Sequence, residues 1–122
     1  AARRALSDRQ RIARNTEAMR SLYNAARSGR ATAMVGAASD AGADREQAQE
    51  IVELLWLRLH DELRAAVHAH APVRTRERLI SALRAARAAQ QAIRGYTAAP
   101  LALERMLRHV STALQPNATP NP

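Results

Sequence analysis

With 122 residues, three aromatics, no Phe and no Cys, the chain can form one domain around a modest, Ala-rich aliphatic core. Disulfides and thiolate metal sites are excluded, and no apolar run approaches the ~20 residues needed to cross a bilayer. Nineteen arginines without a single lysine give a net charge of +8, which favours anionic partners.

Strand-favouring residues never alternate, so an all-α fold is expected. Ser7 with Gln10 reads as a capping box opening a first helix near residue 8. That helix carries Ile12, Met19, Leu22, Tyr23 and Ala26 on one face and ends near Ser28-Gly29. A short helix over 31–38 follows, breaking at SDAGAD, where Gly42 is expected in the left-handed conformation. Asp44 with Gln47 caps a long helix running to about His70, so apolar around its circumference that it should be central or buried between subunits. Pro72 to Thr75 starts a fourth helix, reaching Gly95, with Leu79, Leu83, Ala86, Gln90 and Ile93 as a narrow seam suited to antiparallel packing. Pro100 fits the first turn of a last helix bearing Leu103, Met106, Leu107, Val110 and Leu114. The expected architecture is therefore a four- to five-helix bundle, mainly antiparallel. It forms one domain over 1–114, with a disordered tail over 115–122.

Charge is unevenly divided. Residues 1–30 and 72–122 each carry eight arginines and two acids, whereas residues 31–71 carry three arginines and seven acids. Glu46, Glu50, Glu53 and Asp61 fall on one face of the long helix, where basic neighbours could pair with them. Complete pairing would still leave +8 on display. Arg9, Arg20 and Arg27 are spaced eleven and seven residues apart, as are Arg76, Arg87 and Arg94, with Arg84 beside the second set. Each set returns to nearly one helix face over about 27 Å. On antiparallel neighbours the two stripes would make one basic surface able to follow a phosphate backbone. With so few aromatics there is no stacking platform for single strands, so contacts should be to phosphates, with little sequence preference.

The stretch AASDAGADREQAQEIV places Ala38, Gly42 and Ile51 near the small, turn and packing positions of a helix-turn-helix. It is also similar to the amino-terminal helical hairpin of HU-type DNA-bending proteins. That family continues into β-strands and a Gly/Phe-rich arm, whereas this chain has no Phe and stays helical. The likeness therefore implies a helical corner and not membership. In RAAVHAH, the spacing of Arg64 and His70 resembles the R-x4–6-H signature of HEPN ribonucleases, all-helical proteins active as dimers. The resemblance implies His70 as acid/base and Arg64 as the stabiliser of phosphate charge. Ala65 departs from the polar residue usual after that Arg, and the family's motif normally begins the final helix. The remaining histidines, His60, His68 and His109, have no ligand spacing, and neither metal nor cofactor is expected.

The leading expectation is a non-enzymatic basic subunit that binds DNA or RNA backbone within a larger complex through Arg9, Arg20, Arg27, Arg76, Arg84, Arg87 and Arg94. The alternative is a helical adaptor, chaperone or dimeric scaffold using Leu54, Trp56, Leu57, Leu63 and Val67 as a protein interface. The opening AARRALSDRQ fits a cytoplasmic chain trimmed after Met, an excised domain or a mature secreted fragment, with cytoplasmic the simplest.

Overall fold

The structure, a computed structural model, describes residues 2–115, with side chains from Ser7 onward. Five helices account for it: α1 (Ala2–Ser28), α2 (Ala31–Ala41), α3 (Arg45–His68), α4 (Val73–Arg94) and α5 (Ala99–Leu114). No strand occurs among the described residues, and none of their helices is long and apolar enough to cross a membrane.

Local chemistry sets most boundaries. The Asp44 side chain accepts the Gln47 backbone N–H at 3.0 Å and caps α3, while Pro72 precedes α4 and Pro100 sits in the first turn of α5. Gly29, at φ 68°, ends α1 in the left-handed conformation. Two expectations change. Ser7 lies inside α1 rather than opening it, because the preceding Ala, Arg and Leu residues are themselves strong helix formers. Gly42 is not left-handed (φ −89°). It is needed for close approach, since a Cβ there would stand 2.7 Å from the Pro100 nitrogen and 2.8 Å from the Ala38 carbonyl oxygen.

The four long helices form a ring in which α3 packs on α1 and α4, and α5 packs on the same two from the other side. α2 lies along the α1–α5 edge. Residue pairings give the directions. Asn15 meets Glu50 and Tyr23 meets Arg58, so α1 and α3 run parallel. Arg45 meets Ile93 and Arg87 meets Trp56, so α3 and α4 run antiparallel. The core is aliphatic, with Leu22, Val52, Leu55, Leu59, Ile93, Leu103, Met106, Leu107 and Val110 fully enclosed. The most enclosed element is α5, packed against α1, α2 and α4. The long helix α3, expected at the centre or between subunits, is one of the four ring helices and keeps Leu57 and Val67 exposed. Ile12, expected on the core face of α1, is also largely exposed. Gln115, assigned by sequence to the tail, is anchored: its side-chain amide donates to the Arg27 carbonyl at 3.0 Å. Residues 116–122, the rest of the expected tail, lie outside the described residues.

Candidate nucleic-acid interface

The two arginine stripes do not merge. α1 and α4 are not packed on one another; α3 stands between them with its carboxylates. The single basic surface expected from antiparallel neighbours is therefore divided in two, because the chain order of the ring puts α1 and α4 across from each other.

The stripes also differ in what holds them. On α1, Arg20 pairs with Glu17 at 3.4 Å. Arg27 donates to the Tyr23 hydroxyl at 3.1 Å and lies 5.7 Å from that ring's centroid, while Arg58 of α3 stacks at 4.1 Å. Burial pushes the Tyr23 phenol above its ordinary range, Glu62 adds to this, and Arg27 opposes it. The Arg27 guanidinium is in turn raised by its hydrogen bond to Tyr23. Arg9 is exposed.

On α4, six arginines accompany one acid. Arg87 lies over the Trp56 ring at 5.0 Å and donates to Gln90 Oε1 at 2.9 Å. Trp56 is itself stacked on His60, with centroids 5.0 Å apart. Arg84 and Arg94 are exposed, and neither they nor Arg87 has a carboxylate ion partner among the described residues. Arg76 is half-buried, with its Nε enclosed and unpartnered.

Two carboxylates of the acidic face of α3, Glu50 and Glu53, are held by amides. Asn15 Nδ2 donates to Glu50 at 2.6 Å, and Gln90 Nε2 donates to Glu53 at 2.6 Å. Both amides are almost fully buried. Arg11 pairs with Glu50 at 3.7 Å, an ion pair that links α1 to α3. These groups line a cleft of about 530 Å³ together with Ile12, Leu54 and Arg94. Sequence reading placed Gln90 in the seam but missed Asn15. The available signal was an amide at a core-phased position one turn before Met19.

The expected protein-interface residues divide as well. Leu54 faces the cleft and Leu57 is exposed beside the acidic residues, whereas Trp56, Leu63 and Val67 share a different stripe along the α4 side. Arg64 is exposed on α3. His70, also exposed, falls beyond that helix in the turn, at φ 53°. Among the described residues, no group of three or more His, Asp or Glu is placed to hold a metal ion. No protein-family model matches the chain, and no curated protein or solved structure matches it at a significant level.

Proposed function

We propose that this protein is a non-enzymatic, basic helical subunit that binds the phosphate backbone of nucleic acid through the outer face of α4, within a larger complex. The observation that carries the reading is that Arg84, Arg87 and Arg94 lack carboxylate partners although Glu53, on the adjacent helix, lines the same cleft as Arg94. The chain places Gln90 between Arg87 and Glu53, so the guanidinium is held in position without direct ion pairing. Stacking on Trp56 fixes Arg87 further, which lowers the rotamer entropy lost when an anion binds. A planar fork already held at the surface suits phosphate oxygens. The α1 stripe, with Arg20 and Arg27 engaged locally, is a secondary contact at most.

Fluorescence anisotropy with labelled duplex DNA and duplex RNA at stepped salt tests this. Binding at low salt should weaken steeply as salt rises, with little dependence on sequence. Replacing Arg84, Arg87 and Arg94 with Ala should flatten the logarithmic salt slope by about 2–3 on DNA, at ~0.9 per phosphate contact. No binding at about 50 mM salt overturns the proposal.

A further inference from the structure

The α3–α4 seam has an aliphatic floor that phosphate binding does not use. Arg87 over Trp56 marks where the two antiparallel helices meet. One heptad beyond that contact, each helix returns to nearly the same face, bringing Leu63 of α3 level with Ile80 of α4. Val67 follows one turn further along α3 and Val73 one heptad further along α4, just before the chain turns. Val67, Val73 and Ile80 are 50, 59 and 38% exposed, and Leu63 is half-buried. An aliphatic strip headed by the chain's one tryptophan thus runs down the groove between two helices. Cations dominate its borders: Arg64 on α3, and Arg76, Arg84 and Arg87 on α4, against Glu77 as the one acid of α4.

We infer that this strip docks an amphipathic helix of a partner protein, one that presents aliphatic side chains at helical spacing between Asp/Glu flanks. The groove between adjoining helices seats a third helix by ridge-and-groove packing. Its aliphatic floor requires apolar anchors, and its cationic borders select acidic flanks. The aliphatic floor takes no part in phosphate binding, but Arg84 and Arg87 on its border do, so an acidic helix and a phosphate backbone compete for them.

Trp56 reports on the strip directly, because it is the only tryptophan. The probe is a synthetic amphipathic helix of about 20 residues, long enough to be helical, with a Leu seam and Glu flanks. Titrated into the full chain, it should shift the Trp56 emission to the blue in a saturable manner. The triple variant Val67→Ser, Val73→Ser, Ile80→Ser should weaken binding about tenfold or more while leaving the nucleic-acid salt slope intact. If circular dichroism shows that the triple variant has lost helix, Val73→Ser alone, at the most exposed strip position, replaces it and should still weaken binding measurably. Equal binding of a Lys-flanked version, or no emission shift, overturns the inference. So does a dimer in sedimentation that the Ser variant returns to monomer, since a second copy would then be the occupant. An emission shift with phosphatidylglycerol vesicles but not with the peptide overturns it equally.

Discussion

α1 and α4 carry arginines at the same eleven- and seven-residue spacing, yet their surroundings make them different surfaces. On α1, Arg20 is answered within its own helix by Glu17, and Arg27 leans on the buried Tyr23. On α4, Arg87 is stacked and bridged through an amide, while Arg84 and Arg94 stand without acids. Periodicity places charge on a face, but the neighbours decide whether that charge is available to a partner. The ring then separates the two faces by inserting α3, whose carboxylates would repel a phosphate chain crossing from one stripe to the other.

The largest expected effect comes from removing each stripe in turn. At low salt the α4 triple Arg84→Ala, Arg87→Ala, Arg94→Ala should weaken nucleic-acid binding by about 10- to 100-fold. The α1 triple Arg9→Ala, Arg20→Ala, Arg27→Ala should weaken it only about threefold, through lost long-range attraction. Equal losses in anisotropy titrations would erase the distinction between the helices.

The helix ends sharpen the comparison next. Both α1 and α4 end at a left-handed residue, but it is Gly29 in one and Tyr96 in the other, at φ 68° and 74°. Thr97 N–H bonds to the Ala92 carbonyl around Tyr96, the hydrogen bond of a Schellman ending that normally uses Gly. Tyr96 is almost fully exposed, so little packing compensates its backbone strain. Tyr96→Gly should therefore stabilise by about 1 kcal/mol and Gly29→Ala should destabilise by about the same, both read by urea denaturation.

The buried amides should separate by less. Gln90 uses both ends, bonded to Arg87 and Glu53, and Gln90→Leu should cost about 1 kcal/mol. Asn15 leaves its Oδ1 enclosed and unpartnered, so Asn15→Leu should be close to neutral, about 0–0.5 kcal/mol. The smallest effect belongs to Tyr23. Its folded-state pKa is raised above the ordinary value of 10.0, so the folded protein holds that proton more tightly than the unfolded chain does. The associated stability is complete below pH 10 and is lost as pH climbs toward the folded value. The urea midpoint should therefore drop in strongly alkaline buffer, and Tyr23→Phe should remove that part of the drop.

The helices were legible because their signals are local. Asp44 with Gln47, Pro72, Gly29 and Pro100 act within a turn of themselves, and the apolar periodicity of α5 appears directly as its enclosed face. Ser7 misled because a capping residue ends nothing when the segment before it also prefers helix. The candidate site was half legible. The residue types and phases of Arg84, Arg87 and Arg94 were readable, but the absence of carboxylate partners depends on which helix lies alongside.

Sequence by itself determined an all-helical chain, its boundaries to within a few residues in most cases, a surplus of positive charge and the phase of each arginine. The charge follows from composition, and the rest from hydrogen bonds and side-chain spacing within single helices. Only the tertiary structure decided that α1 and α4 lie apart, that α5 rather than α3 is the most enclosed helix, and that Asn15 and Gln90 hold Glu50 and Glu53 of α3. Those outcomes depend on how five apolar faces bury one another at once, a condition on the whole assembly that no single helix encodes.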